Sequence, residues 1–430
     1  MPTPLELDAP GCLYPETAIP PVPVSPLSAD LQVETAVVGG GYTGLSAALH
    51  LAERGQRVVL LEAREPGWGA AGRNGGQVNA GLKHEPDEVE RTLGPVYGPR
   101  LVRLAGGAPD FLFELIARHR IDCETCRAGT LRAAYQPQHA AALRSSVEQW
   151  ARRGVRLEFW DAAMVAAATG TGRYVAATFD ARGGAVNPLS LARGLAAAAL
   201  HRGAMIHSGT PARQLERDGT GWRVTTPGGV VRADHVVLAT DGYSDDLWPG
   251  LRTSVVPIYS SIIATAPLPS PRCDAVLPDG RVVYEAGNIT VYYRRNAEGR
   301  LLMGGRGRQR SDAARAQYEH LVRYARRLWP ALATVEWTHW WNGQFALTPD
   351  FYPRFHVPAP NLYIGLGYSG RGVAFGAAMG AQLAAAAAGE PLETLALPVT
   401  PVPQLRFHRF WRVGVAAGVT YGRILDRLGR

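Results

Sequence analysis

A glycine-rich turn between two short apolar runs constrains this chain more than any other feature. Residues 37–45 read Val-Val-Gly-Gly-Gly-Tyr-Thr-Gly-Leu. They follow an apolar run over 33–38 and precede a segment, 45–53, with apolar residues at helical spacing. A second apolar run over 57–61 ends on Glu62. The order of strand, glycine turn, helix, strand and acid is typical of a dinucleotide-binding unit.

Each residue of the turn has a physical role in such a unit. Gly39 allows the tight turn, Gly41 lets the backbone approach a pyrophosphate, and Gly44 lets the helix lie close to the strand. The helix N-terminus then faces the phosphates. Glu62 can accept hydrogen bonds from ribose hydroxyls. A lone G-x-G-x-x-G is weak evidence, but with both strands, the helix and the acid in register the pattern predicts a nucleotide site.

Composition narrows the class of protein. A chain of 430 residues is expected to form two to three domains. Its 45 basic and 37 acidic residues are interspersed, without a run of five like charges, which favours a solvated surface over a nucleic-acid site. Neither a membrane span nor a signal peptide is predicted. Four cysteines, two of them in an isolated C-x-x-C at 123–126, suit incidental thiols in a reducing cytoplasm, with no metal site.

The pattern along the chain predicts a doubly wound Rossmann-type α/β domain with an interleaved α+β insert built on an antiparallel β-sheet. The nucleotide-binding domain is expected to be discontinuous, over 31–95, 183–250 and 351–395. The inserted domain is expected over 96–182, where helical patterns dominate, and over 251–350, where strand patterns dominate.

The two chain ends are expected to lie outside these domains. Residues 1–30 are proline-rich and are predicted to form an extended arm along the surface. Residues 396–430 are predicted to form a tail helix whose last 25 residues include six arginines. Packing of this tail against the nucleotide-binding domain is favoured over contact of an amphipathic helix with a membrane.

Further motifs carry a resemblance to a known family. They are the segment 67–77 (Gly-Trp-Gly-Ala-Ala-Gly-Arg-Asn-Gly-Gly-Gln), the run 238–242, and the turn 367–372, supported by Tyr14, 184–188 and 256–261. Together they resemble the D-amino-acid-oxidase-type (DAO) family of FAD-dependent oxidoreductases. Within it the chain is most similar to γ-glutamylputrescine oxidoreductase-like amine oxidoreductases, over residues 14 to about 390.

The resemblance implies a flavin-binding domain with a substrate domain over the isoalloxazine ring. Residues 342–350, where some members attach FAD through a cysteine, contain none, so FAD is expected to be non-covalent. The residues implied to bind it are Gly39, Gly41, Tyr42, Thr43, Gly44, Glu62, Ala63, Arg64, Ala71, Gly72, Arg73, Asn74, Gly75, Gly76, Gln77, Ala212, Thr240, Asp241, Gly242, Gly367, Tyr368, Gly370, Arg371, Gly372 and Val373. Arg371, where many relatives have histidine, is expected either to stabilise the reduced ring as a cation or to point to solvent.

The resemblance also implies a reaction. Members pass a hydride from the carbon next to an amine to flavin N5, and the imine hydrolyses in water. The substrate-side candidates are Tyr259, Glu285, Tyr292, Arg294, Trp341 and Gln344. Glu285 is assigned either to a distal ammonium of the substrate or to a surface salt bridge. Lys83, the only lysine in the chain, is either an ordinary surface residue or an aid to reaction with oxygen.

Several alternatives remain open at this stage. The leading substrate is a primary or secondary amine such as a γ-glutamylated polyamine. A D-amino-acid, imino-acid or N-methyl-amino-acid oxidase is the alternative, with Arg294 or Arg306 for the carboxylate. An RNA-modifying flavin protein is disfavoured because no basic stripe is present. The electron acceptor is oxygen, a quinone or a carrier protein, and no feature indicates the oligomeric state.

Overall fold

The computed structural model describes residues 11–287, 289–311 and 314–428. Its helices are α1 (Tyr14–Thr17), α2 (Tyr42–Glu53), α3 (Pro86–Arg118), α4 (Pro137–Ala151), α5 (Ala162–Thr169), α6 (Pro188–His201), α7 (Arg272–Ala275), α8 (Glu319–Leu328), α9 (Gly372–Ala387) and α10 (Trp411–Leu428). Its strands are β1 (Leu31–Val38), β2 (Val58–Leu61), β3 (Gln77–Val78), β4 (Thr130–Ala134), β5 (Glu158–Asp161), β6 (Ala176–Asp180), β7 (Gly184–Ala185), β8 (Met205–His207), β9 (Gln214–Asp218), β10 (Gly221–Thr226), β11 (Gly229–Leu238), β12 (Val256–Thr265), β13 (Val282–Glu285), β14 (Tyr292–Arg295), β15 (Leu301–Arg306), β16 (Trp337–Leu347), β17 (Arg354–Ala359) and β18 (Leu362–Leu366).

The first large sheet is the doubly wound one. Its order is β17-β18-β11-β1-β2-β8, and β9 and β10 extend it as a hairpin on β11. The strands from β18 to β8 pair in parallel, while β17 is antiparallel to β18. β1 is central and buried over Thr35 to Val38, as its near-continuous apolar run requires for a strand covered on both faces. The predicted fold class is confirmed.

The second large sheet differs from the prediction in two ways. Its order is β16-β12-β15-β14-β13-β4-β6-β5, so residues 96–182 contribute three strands as well as the expected helices. The expected antiparallel sheet is in fact mixed, because β13 and β4 pair in parallel. The helical patterns of residues 96–182 concealed these strands because β4 to β6 are only four or five residues long.

The predicted boundary at residue 96 does not match the packing. α3 crosses it, with a kink at Gly94, and buries Leu101 and Leu112 in the core that α2 and α9 share. Helix-packed residues up to 118 therefore belong with the nucleotide-binding sheet. A short third sheet pairs β3, at the end of the loop that follows Glu62, with β7 just before α6.

The two chain ends also differ from the predictions. Residues 1–10 of the predicted arm lie outside the described residues, whereas 11–14 are tucked inward, with Leu13 and Tyr14 fully buried. Among the described residues the tail helix is 411–428, and most of its side chains with a described exposure are exposed rather than packed against the nucleotide-binding domain. Across the described residues, no helix combines the length and the apolar character needed to cross a membrane.

Candidate active site

A cavity of about 680 Å³ lies between the two large sheets. Segments from many distant parts of the chain line it, and several of them follow the carboxyl ends of parallel strands, where an α/β sheet binds its ligands. Of the residues predicted to bind the cofactor, the following line the cavity: Gly39, Gly41, Tyr42, Thr43, Glu62, Ala63, Arg64, Ala71, Arg73, Asn74, Gly75, Gln77, Ala212, Thr240, Asp241, Tyr368, Gly370, Gly372 and Val373.

The remaining predicted cofactor residues do not line the cavity. They are Gly44, Gly72, Gly76, Gly242, Gly367 and Arg371. The glycines lie behind its wall, where the backbone of one segment presses on another. A Cβ on Gly44 would approach the Gly39 carbonyl oxygen to 1.9 Å, and one on Gly242 would approach the Phe345 backbone to 2.7 Å. These glycines shape the walls and are not among the residues that line the cavity.

The turn before α2 has the features of a phosphate site. Gly39 has a positive φ of 108°, and no side chain caps α2 at Gly41. The N–H groups of the first helical turn have no acceptors within the helix, and the positive end of the helix dipole faces the cavity. A Cβ on Gly41 would meet only Ala71, at 3.9 Å, so the space in front of the turn is open. This geometry fits a pyrophosphate.

Glu62 is fixed at the end of β2 by backbone donors. The Gly40 N–H donates to one carboxylate oxygen at 2.6 Å, and the Arg64 N–H donates to the other at 2.8 Å. Burial raises the pKa of the Glu62 carboxyl, while these two N–H groups act in the opposite direction. A carboxylate oxygen keeps further lone pairs, so Glu62 can also accept hydrogen bonds from ribose hydroxyls.

The loop 67–77 is held in place by buried side chains from distant segments. The Tyr14 hydroxyl donates to the Asn74 carbonyl at 2.8 Å, and the Trp341 indole N–H donates to the Arg73 carbonyl at 2.9 Å. Arg294 donates to the Gly75 carbonyl at 2.6 Å. Arg294 and Trp341 were predicted to face the substrate. That placement is wrong, because both side chains are buried behind this loop and position it.

Asp241 joins two other walls of the cavity. Its carboxylate accepts hydrogen bonds from the Gly367 N–H at 2.9 Å and from the Ala346 N–H at 3.1 Å. The Tyr368 hydroxyl lies 2.7 Å from the Thr43 hydroxyl at the start of α2. The turn before α9, the strand β16 and the first glycine turn are thus connected by hydrogen bonds, so that three segments distant in sequence form one rigid wall.

Two predicted substrate-side residues do line the cavity. The Tyr292 hydroxyl lies 2.9 Å from the Ser260 hydroxyl, and burial raises the Tyr292 pKa to about 12, so the phenol stays neutral. The Gln344 side-chain amide donates to the Gly242 carbonyl. Both residues come from the second large sheet and lie opposite the glycine-rich segments.

The structure places the other two substrate-side residues differently. Tyr259 is half-buried beside the cavity residue Ser260 but is not among the residues that line the cavity, so its substrate role stays a prediction. Glu285 is buried among aromatic residues, where the hydroxyls of Tyr174 (at 2.9 Å) and Tyr324 donate to its carboxylate. The carboxylate is therefore buried inside the second large sheet and does not face the cavity. A strand pattern alternates in and out but does not tell which face meets the cavity, and this explains the error.

Lys83 and Arg306 are two further cavity residues; the sequence named Arg306 as a candidate for a substrate carboxylate and left the role of Lys83 open. Arg306 ends β15 with its guanidinium 5.6 Å from the Phe345 ring centre. Lys83 lines the cavity, and its side chain is exposed there, as the surface-lysine interpretation expects. Loss of hydration, together with repulsion from Arg371, Arg306 and Arg132, lowers the Lys83 pKa to about 7. Among the described residues no carboxylate forms an ion pair with either side chain, and the singularity of Lys83 was the only available signal.

Arg371 does not line the cavity, and its predicted electrostatic effect on the ring stays a prediction. Its guanidinium lies 4.6 Å from the Tyr284 ring centre and donates to the Tyr284 hydroxyl at 3.1 Å. The half-buried side chain lines a small neighbouring polar cavity. The backbone at Gly370, Gly372 and Val373, at the N-terminus of α9, does line the cavity and can contact a ligand.

A sequence model of the DAO family, described as FAD-dependent oxidoreductase, matches residues 34–386. The chain belongs to this family. A solved glycine oxidase from Geobacillus kaustophilus superposes with a TM-score of 0.73 over 87% of this chain and 99% of that chain, at 22% identity, and so shares its fold.

Two curated relatives of this DAO-family chain are similar along nearly their whole lengths. Probable oxidoreductase OrdL of Rhizobium meliloti (strain 1021) is 33% identical over 398 residues, covering 92% of each chain. Gamma-glutamylputrescine oxidoreductase of Escherichia coli (strain K12) is 33% identical over 416 residues, covering 95% of this chain and 96% of that one. The predictions of an FAD-dependent enzyme of the DAO family, and of its likeness to γ-glutamylputrescine oxidoreductase, are confirmed. Oxidation of an amine fits this set of relatives.

Proposed function

We propose that this DAO-family enzyme oxidises the C–N bond of a primary or secondary amine, with FAD held non-covalently in the 680 Å³ cavity. The main support for this proposal is the set of residues that line the cavity. Glycine-rich turns and Glu62 form one part, and Tyr292 and Gln344 of the second sheet form the facing part. Several relatives carry names of nitrogen compounds: gamma-glutamylputrescine oxidoreductase, glycine oxidase and 4-methylaminobutanoate oxidase.

The described residues support a place for each part of the dinucleotide along the walls of the cavity. The first turn of α2 would hold the pyrophosphate, Glu62 the adenosine ribose, and the loop 71–77 the edge of the flavin. The start of α9, with free N–H groups, would stabilise negative charge on the ring by about 0.3–1 kcal/mol. Bound FAD would accept the hydride from the carbon next to the amine nitrogen.

The residues around the substrate end favour a neutral amine. A protonated nitrogen has no lone pair to assist hydride loss, so the ammonium form is unreactive. Lys83 and Arg306 line the cavity and repel a second cation, which shifts an incoming ammonium toward its neutral form. Tyr292, neutral at ordinary pH, and Gln344 offer hydrogen bonds that orient the amine without demanding charge. A protein base is therefore unnecessary.

The same two cations support a second candidate, an oxidase of amino, imino or N-methyl acids. Such a substrate needs a cation for its carboxylate, and Arg306 lines the cavity whereas Arg294 does not. Arg306→Met should raise KM at least roughly tenfold for a carboxylate-bearing amine, and should leave KM of its decarboxylated analogue unchanged. Equal effects on both compounds would count against this candidate.

An anaerobic reduction screen tests the proposed reaction. The purified protein should be yellow, and acid precipitation should release its flavin into the supernatant as FAD. Mixing with amines and amino acids without oxygen should bleach the flavin for the true substrate class. Flavin that stays with the precipitate would overturn non-covalent binding, and a protein bleached by no amine or amino acid would overturn C–N oxidation.

The acceptor and the setting of the enzyme are further predictions. Oxygen, a quinone or a carrier protein would reoxidise the flavin, and the cytoplasm remains the predicted compartment. No nucleic-acid partner is expected. A comparison of turnover with oxygen and with a soluble quinone, at matched substrate concentration, would identify the acceptor class.

A further inference from the structure

The C-terminal tail is a part of the described chain that the active site does not use. It is anchored at its start, where the Leu405 N–H donates to the Thr253 carbonyl at 3.0 Å and His408 donates to the Val255 carbonyl at 2.8 Å. Beyond this anchor α10 continues to Leu428, and most of its side chains with a described exposure are exposed. These hydrogen bonds fix where the tail leaves the folded domains, and α10 beyond them is available to contact a partner.

The tail concentrates exposed apolar side chains. Phe407, Phe410, Val413, Tyr421 and Ile424, here called the apolar stripe, are 77%, 52%, 68%, 64% and 48% exposed. They are five of the ten large hydrophobic side chains exposed in the described residues. Scattered exposed hydrophobic residues need no explanation, but a cluster of this kind marks an interaction surface.

Most of the apolar stripe lies on one face of α10. At about 100° per residue, Val413, Tyr421 and Ile424 fall within about 80° of one another. The half-buried Trp411, Val415 and Val419 fall on the opposite side. The stripe is therefore directed away from the more sheltered side of the helix.

The positive charge of the tail indicates which kind of partner contacts the apolar stripe. Residues 406–430 contain six arginines and one aspartate. Arg409 and Arg412 stack on Phe410 and Trp411, with guanidinium-to-ring distances of 4.7 and 5.0 Å. An anionic lipid surface attracts such a helix and accepts its aromatic and aliphatic side chains. A second copy of the tail would bring like charges together, which opposes self-association.

We propose that α10, with the segment 406–410 that leads into it, lies along the surface of an anionic bilayer with the apolar stripe at the boundary between headgroups and acyl chains. The helix does not span the bilayer. It would hold the flavin enzyme at a membrane surface whichever amine it oxidises. This inference does not depend on the proposed substrate.

Vesicle binding of the full-length, FAD-loaded protein tests this proposal. Binding to vesicles of phosphatidylcholine with phosphatidylglycerol should be at least roughly tenfold tighter than to phosphatidylcholine alone, and added salt should weaken it. The double variant Phe410→Ser, Tyr421→Ser should lose at least roughly tenfold in binding. The variant Arg409→Gln, Arg412→Gln should lose the preference for phosphatidylglycerol.

A matched control and an association assay give each result one meaning. Val96→Ser with Met164→Ser changes exposed apolar residues elsewhere and should bind like the unmodified protein. Flavin content and thermal midpoint should be equal in all four proteins. The proposal is overturned if the unmodified protein shows no phosphatidylglycerol-dependent binding, or if the Phe410, Tyr421 variant binds equally well. It is also overturned if that variant turns a vesicle-free dimer into a monomer, because a second copy would then cover the stripe.

Discussion

The dinucleotide end and the substrate end of the cavity are built in different ways. At the dinucleotide end the walls are backbone turns, and Gly39, Gly41 and Glu62 lie in one continuous segment of sequence. At the substrate end the walls are side chains such as Tyr292 and Gln344, which come from separate strands of a mixed sheet. The first arrangement is encoded locally and the second depends on tertiary register.

This difference determines how substitutions should act. At the dinucleotide end a single added methyl group meets backbone that has no freedom to move. Behind the substrate end, several polar residues that look catalytic support the structure instead. Substitutions there should alter stability and flavin binding before they alter KM.

The largest effect is expected from Gly44→Ala. The added Cβ would lie 1.9 Å from the Gly39 carbonyl oxygen, so α2 must shift away from the glycine turn. We expect a loss of about 3 kcal/mol or more in FAD binding, which is roughly a hundredfold in affinity. The flavin-to-protein ratio after gel filtration, with the thermal midpoint, measures it. Gly107→Ala in α3 is the control, since a Cβ there meets nothing within 4 Å. Full flavin content in Gly44→Ala would contradict the inference that FAD binding depends on close backbone packing at the glycine turn.

The sequence predicted the fold class and the glycine corners because both follow from short-range patterns. Strand, turn, helix and acid are contiguous around Gly41, and a strand followed by small residues marks the turn before α9. Glu285 and Arg294 could not be placed from sequence, since strand alternation does not identify the face that meets the cavity. Lys83 lies in a loop without periodicity, so no pattern indicated that its side chain enters the cavity.

Arg294→Met should separate support from substrate binding. Arg294 is 3% exposed and donates to the carbonyls of Gly75 and Val186. Loss of these charged hydrogen bonds should cost about 2–4 kcal/mol of stability and weaken FAD binding, while KM in FAD-saturated protein changes little. Urea unfolding and steady-state kinetics with added FAD would show this. A large rise in KM with normal stability would return Arg294 to the substrate site.

Glu285→Gln should have a smaller effect of the same kind. The substitution preserves volume, and the Tyr174 and Tyr324 hydroxyls both donate to one carboxylate oxygen, so an amide oxygen there can still accept from both but more weakly, because it carries no charge. We expect a loss of about 1–2 kcal/mol in the free energy of unfolding and an unchanged KM for every amine tested. Tyr324→Phe, which removes one donor, is the companion variant and should lose less. A selective rise in KM for diamines would instead restore the distal-ammonium role.

Lys83→Met should give the smallest effect, and its sign depends on pH. The Lys83 pKa falls from 10.5 to about 7 in the folded protein, so between these values the unfolded chain binds more protons. The folded state is therefore progressively destabilised as pH falls from 10.5 to about 7, and below that the penalty stays constant. Lys83→Met removes the penalty, so flavin-free variant protein should be more stable than the unmodified protein at neutral pH. The gain should shrink toward zero as pH approaches 10.5, and cavity water should keep it modest because much of the side chain is exposed. Thermal midpoints of both proteins across this pH range measure the difference. A gain in stability that does not vary with pH would mean that packing around Lys83, rather than repulsion from Arg306, Arg371 and Arg132, destabilises the folded protein. The substrate end would then lack the positive potential that favours a neutral amine.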